Sequence, residues 1–363
     1  MPFQRLTTLI SLTPSISVSA TVDESNDKLY VFLNSVTVGQ YIVIDLSTFT
    51  VNSFKTLAAT YTRLRGTSFD ETYMYYGTGR EDGSNPYLLR SRRDTSNFDA
   101  ALNLAIVTEG VHTTAVLDGF IYAGSNQGHV VKVSTSSFTK ISTVTVTGAS
   151  DTLKLRNAVF DNSIPPNNTF LYMGTNGGRV HKTSISPSFG YIGFIDMGGS
   201  SKTDGMAFVD GLGFLYIGGA NATSKPCLFK IDLSTFTLSA TLVFDTVNNG
   251  FTWGGAIDSA NAIAYVAYKI TGGANKWKFA KIDLLTFTLV DTLTGAGDSD
   301  DENVLDLHCV AINSSKANAY LVTSKTTIVD VDSVFIKFDI SIPFYSPIFN
   351  RKTAPYLLPS NSY

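Results

Sequence analysis

Cysteine, histidine and charge are all scarce in this chain, and each scarcity removes a class of protein. Two cysteines, Cys227 and Cys309, in 363 residues exclude a disulfide framework. Charged residues make up only 16%, too few Glu and Lys to clothe long solvated helices. A formal net charge of −3 provides no broad positive field, so neither nucleic acid nor anionic lipid is an expected partner. No apolar run approaches the roughly 18 residues of a membrane span, and the opening Met-Pro-Phe-Gln-Arg-Leu lacks a basic region ahead of an apolar stretch. Neither membrane insertion nor a signal peptide is expected. The four histidines, His112, His129, His181 and His308, form no His-Glu-x-x-His pattern, and Gly-x-Ser-x-Gly and Cys-x-x-Cys are missing too.

What the chain has instead is a phrase that returns seven times, a Tyr inside an apolar run followed by a Phe that closes a polar turn. The Tyr members are Tyr30, Tyr75, Tyr122, Tyr172, Tyr216, Tyr265 and Tyr320; the Phe members are Phe49, Phe98, Phe138, Phe189, Phe236, Phe287 and Phe344. A repeat of strand-like units at a period of 40 to 57 residues predicts an all-β fold, a seven-bladed β-propeller of four-stranded antiparallel blades. The fifth unit shows the pattern, with short runs at 205–210, 215–218, 228–232 and 237–244 separated by Gly, Asp and Ser turns. The residues ending the first strands, Asp23, Asp70, Asp118, Asp161, Asp210, Asp258 and Asn313, are expected to bond their own turns and not to form a metal ring. Large aromatics at the repeated Tyr and Phe positions are expected to fill the wedges between blades.

Residues 3–11, Phe-Gln-Arg-Leu-Thr-Thr-Leu-Ile-Ser, repeat the fourth-strand pattern of 236–242 and 287–293, while the last unit breaks into prolines after Asp339. The N-terminal segment is therefore expected to supply the outer strand of blade 7 and close the ring. The propeller is expected to occupy residues 1–344. Residues 345–363 form a Pro- and aromatic-rich arm, in which Tyr356, Leu357 and Leu358 are expected to contact another subunit.

The Tyr-Val or Tyr-Ile-Gly run, followed by Lys-Ile-Asp-Leu-x-Thr-Phe-Thr and a final Thr-Leu, resembles the repeats of YVTN-type and NHL-type seven-bladed propellers. The resemblance covers residues 3 to about 344. It implies the architecture and carries over no catalytic residue.

Candidate chemistry lies where the repeats disagree. Five or six residues before the turn Asp or Asn, at the expected mouth of the central channel, stand Arg65, His112, Arg156, Asp204, Trp253 and His308. Trp253 suits stacking on a sugar or another planar ligand, and Arg65 and Arg156 suit a carboxylate or phosphate. Asp298, Asp300, Asp301 and Glu302 form an acidic loop before blade 7, a weak Ca²⁺ candidate without the EF-hand spacing; otherwise no cofactor is expected. Opposite, Arg63, Arg65, Arg80, Arg90, Arg92 and Arg93 enrich blade 2, which would complement that loop on a neighbouring molecule.

The expected function is a non-catalytic structural or binding propeller, a component of a virus particle or surface appendage. Its expected partners are other protein subunits, copies of itself or a virion protein, with a glycan or host receptor as a further partner. A channel-mouth lactonase or sugar lyase and a cytoplasmic protein-interaction scaffold are the alternatives.

Overall fold

The computed structural model describes residues 4–340 apart from 12–16, 36, 79–85, 107–109, 147–153, 162–168, 199–200, 204, 211, 272–276, 295–303, 314–316 and 327–330. The described strands form seven antiparallel four-stranded sheets. Blades 1 to 6 are each built from four consecutive strands, over 17–56, 64–103, 111–145, 159–196, 207–243 and 249–294. Blade 7 takes three strands from 304–339, and its outer strand is Gln4–Ser11, paired antiparallel to Val331–Asp339 from Gln4 opposite Asp339 to Ser11 opposite Ser333. The first strands of neighbouring blades pack against one another all the way round, including that of blade 7 against that of blade 1. The ring is closed, and its first strands line the channel. One 3-10 turn, Glu24–Asn26, is the only helical element among the described residues.

The apolar core is divided among the seven wedges between adjacent blades, from the wedge holding Tyr30, Phe32 and Tyr76 to the one joining Tyr320 to Val22 and Leu29. No blade buries its own faces. This is why the chain is a ring and not an array with open ends.

Each residue of the repeated phrase has a physical task. In Lys230-Ile-Asp-Leu-Ser-Thr-Phe236, the Asp232 carboxylate accepts the backbone N–H of Ser234 (2.8 Å) and Thr235 (3.3 Å). Asp45 in blade 1 and Asp283 in blade 6 do the same. Ile231 and Leu233 are buried, and the flanking Thr235 and Thr237 hydroxyls bond each other at 2.8 Å. The Phe takes the left-handed backbone conformation, with φ of 51° or 52° at Phe49, Phe138, Phe236 and Phe287. A non-glycine residue there costs about 1–2 kcal/mol, offset by burial of the ring. That ring lies on the Tyr of the preceding blade: Phe236 on Tyr172 and Phe189 on Tyr122 at 5.6 Å, Phe287 on Tyr216 and Phe49 on Tyr320 at 5.9 Å, Phe138 on Tyr75 at 6.3 Å. The Lys of the phrase completes the stack, with Nζ of Lys132, Lys182 and Lys230 about 4 Å above Phe120, Phe170 and Phe214. The turn carboxylates also behave as expected, since Asp210 accepts from the Leu212 and Phe214 amides and from the Tyr216 hydroxyl.

Phe98 departs from the pattern. In blade 2 the left-handed position belongs to Ser96, at φ 55°, so Phe98 falls two residues later in the strand Phe98–Asn103 and is 42% exposed. At this level the wedge between blades 1 and 2 is polar instead. Tyr30 donates its hydroxyl to the Arg93 carbonyl at 3.0 Å, and Tyr41 donates to the Ser96 carbonyl at 2.7 Å. Replacing Phe49 by Ala should therefore destabilise the fold by about 3 kcal/mol, whereas Phe98→Ala should change it by less than about 1 kcal/mol. Urea unfolding of the two variants checks this, and equal losses would contradict the assignment.

Candidate functional site

Register against the repeated tyrosines locates the channel mouth. The first-strand partners of Tyr30, Tyr75, Tyr122, Tyr172, Tyr216, Tyr265 and Tyr320 are Thr21, Ser68, Ala115, Val159, Phe208, Ala256 and Ala311. Three residues before each partner come Val18, Arg65, His112, Arg156, Gly205, Trp253 and His308, one per blade. At this level the register slips in five blades, and the residue left out of the ladder is Val18, Gly66, His112, Trp253 and His308 in blades 1, 2, 3, 6 and 7. A bulged residue is left out of the ladder, which frees its side chain to be re-aimed. Five of the six residues expected at the mouth thus share one level. Asp204 adjoins the blade 5 position but lies outside the described residues, and of His308 only the backbone is described.

Three of these side chains meet. Arg65 Nη1 lies 2.7 Å and Arg156 Nη1 3.0 Å from the same His112 Nδ1. They come from blades 2, 4 and 3, and side chains of blades 2 and 4 can reach one atom of blade 3 only through the channel. Gly66, beside Arg65, makes the approach possible. Its φ is +56°, and a Cβ there would stand 2.7 Å from the His112 carbonyl oxygen and closer still to Thr113 Cα. Only glycine lets these two strands run so near.

The geometry dictates the histidine's protonation. A guanidinium has N–H donors and no acceptor, so Nδ1 must accept from both arginines. The imidazole is neutral, with its proton on Nε2. Burial, and then the charges of Arg65, Arg156 and Lys154, hold its pKa well below the ordinary histidine range. His112 is 4% exposed, and its Nε2 has no hydrogen-bond partner. Arg65 Nη2 also reaches Asn34 Oδ1 at 3.5 Å. One side of the mouth therefore concentrates positive charge around a neutral ring and one buried, unanswered N–H. His181 differs: it packs against Tyr191 and Phe194 in blade 4, with burial lowering its pKa to about 4, and is a core residue.

In a ring of seven, blade 6 stands opposite blade 3, and its bulged residue is Trp253. The indole is 39% exposed and meets the Phe251 ring edge-on at 4.7 Å, while Lys202 Nζ of blade 5 lies 5.7 Å from Phe251. Sequence reasoning missed Asn34, Lys154, Phe251 and Lys202. Counting from the turn Asp slips by a residue between blades, and only register against the tyrosines would have drawn attention to that level.

The arginines of blade 2 are engaged within the chain. Arg90 pairs with Asp99 at 2.5 Å, Arg92 with Asp94 at 3.1 Å, and Arg93 with Asp23 at 2.5 Å. Arg80, the acidic loop Asp298, Asp300, Asp301 and Glu302, and the arm residues Tyr356, Leu357 and Leu358 lie outside the described residues. Among the described residues no three His, Cys, Asp or Glu side chains are grouped to hold a metal, and no helix is long and apolar enough to cross a membrane. Cys227 is buried, which pushes its thiol pKa up and leaves it a poor nucleophile. Comparison with protein-family models and with curated proteins finds no match, so the chain is placed by its architecture, a seven-bladed β-propeller.

Proposed function

We propose that this protein is a non-catalytic recognition propeller that takes an anionic group at its channel mouth, as a component of a virus particle or surface appendage engaging a host surface. The observation that carries the reading is the convergence of Arg65 and Arg156 on neutral His112, whose buried Nε2–H has no partner. An anion placed there answers the N–H and accepts from guanidinium donors. The same geometry argues against a lactonase or lyase built on this histidine. A general base needs a free lone pair, and that of His112 is occupied by two cations. Its depressed pKa also makes it a weak base. The virion or surface setting rests on the low charge and on the abundance of Ser and Thr in the sequence.

Titration calorimetry with sodium sulfate and sodium acetate tests the receptor. Binding is expected with a dissociation constant on the order of 1 mM, about 4 kcal/mol, and is expected to disappear in Arg65→Gln/Arg156→Gln. Equal heats from the wild type and the double variant would remove the site. Mass spectrometry of purified particles, surface fractions and lysate tests the setting, and recovery from lysate alone would overturn it.

A further inference from the structure

We infer that the anion is the carboxylate of an acidic sugar, bound with its carboxylate toward Arg65, Arg156 and His112 and its ring against Trp253. This rests on the anion-receptor reading and adds the rest of the ligand. The two poles of the mouth differ in kind yet share one level, the bulged residues of blades 3 and 6. At the first pole, planar guanidinium forks match a carboxylate in two parallel hydrogen bonds, and the His112 Nε2–H is a third, neutral donor. At the second, Trp253 keeps 39% of its surface exposed while Phe251 supports it edge-on at 4.7 Å. An apolar face so held in a polar opening favours a ligand with its own apolar face, such as the C–H face of a pyranose.

The adjoining first strands carry hydroxyls in place of apolar side chains. Ser68 Oγ donates to Thr114 Oγ1 at 2.9 Å, and Ser19 Oγ and Thr67 Oγ1 are 3.4 Å apart. Thr114 Oγ1 also reaches the Gly66 and Tyr75 carbonyls, whereas the hydroxyls of Ser68, Ser19 and Thr67 have capacity for more than one hydrogen bond. Such surroundings suit a polyol better than a nucleobase, whose recognition needs edge donors and acceptors at fixed positions. An acidic sugar therefore offers a group to each pole and to the wall near them, whereas acetate or sulfate offers a group to one pole only.

The test is titration of the whole chain with sodium glucuronate, N-acetylneuraminate, glucose, sodium acetate, sodium sulfate and adenosine monophosphate, with circular dichroism to verify that each variant is folded. At least one sugar acid is expected to bind about tenfold more tightly than acetate and glucose, the effect of one added stacking contact. Trp253→Ala is expected to remove that tenfold advantage without weakening acetate binding, and Arg65→Gln/Arg156→Gln to weaken both. If sugar acids bind no better than acetate and Trp253→Ala changes neither, the sugar inference fails while the anion receptor stands. Preference for adenosine monophosphate over both sugar acids likewise overturns it. If no anion binds the wild type, the receptor reading fails, and this inference with it.

Discussion

Deletion of residues 1–11 should abolish the closed ring, with a fall in melting temperature of roughly 10 °C and the appearance of associated species in size-exclusion chromatography. The strand Gln4–Ser11 matches seven residues of Val331–Asp339 and covers the outer edge of blade 7. With net backbone hydrogen bonds worth about 1 kcal/mol each, losing that ladder removes several kcal/mol, a large part of the 5–15 kcal/mol typical of a whole domain. The bared strand then presents unpaired N–H and C=O groups on an exposed edge, the template for pairing with a second chain. Because the missing strand is one continuous segment, a synthetic peptide of residues 3–12 added in trans should restore the melting temperature. An unchanged melting temperature in the deletion variant would show that the seventh blade does not need its fourth strand.

A similarly large effect is expected at the wedge between blades 1 and 2. Arg93 Nε donates to Asp23 Oδ2 at 2.8 Å and Arg93 Nη2 to Asp23 Oδ1 at 2.5 Å, both within the buried wedge. The guanidinium also bonds the Asp70 carbonyl and the Ser25 hydroxyl and lies 4.5 Å over the Phe69 ring. Removing it leaves a buried carboxylate without its counter-charge, so Arg93→Ala should cost about 3–5 kcal/mol. Replacing both partners, in Asp23→Asn/Arg93→Met, should recover much of that loss, because the expense is the stranded charge more than the lost attraction.

The pH dependence of the pair has a definite sign. Burial works to raise the Asp23 pKa, but hydrogen bonds from Arg93, Asn26 and Ser25 outweigh it and hold the carboxyl well below the ordinary range. The folded state therefore holds Asp23 deprotonated at pH values where the unfolded chain has bound a proton. The stability it contributes is complete above the unfolded pKa of about 4 and is lost as pH falls toward the folded value. The difference in unfolding free energy between wild type and Arg93→Ala should thus be constant from pH 7 to 5 and shrink from pH 4 downward. A difference that stays constant to pH 2 would mean that the guanidinium acts through packing alone.

Much of this fold was legible in advance because each phrase acts locally. Asp232, Ser234, Thr235 and Phe236 make their turn from neighbours within four residues, so the residue types alone announce it. The N-terminal strand was recognisable for the same reason, since 3–11 copies 236–242. Phe98 misled because the Tyr-to-Phe spacing in blade 2 differs little from the others. The deciding fact is that Ser96 occupies the left-handed position, and backbone handedness in a Ser-Asn-Phe run cannot be inferred from spacing. The polar wedge at Tyr30 and Arg93 follows from that two-residue offset.

The candidate site was legible only as a set of positions. Arg65 and Arg156 lie 47 and 44 residues from His112 in the chain, and nothing in the pattern says whether the three face one another, a neighbouring blade or solvent. Strand number, turn chemistry and blade order follow from short-range alternation and side-chain-to-backbone bonding, which act within a few residues and so are written in the residue types. Closure of the ring, the extra residue in five of the first strands and the contact allowed by Gly66 are settled by how strands and blades pair. They decide that two guanidiniums share one neutral imidazole, and that an indole stands across the channel from them, because distances between blades are set by packing all seven wedges together.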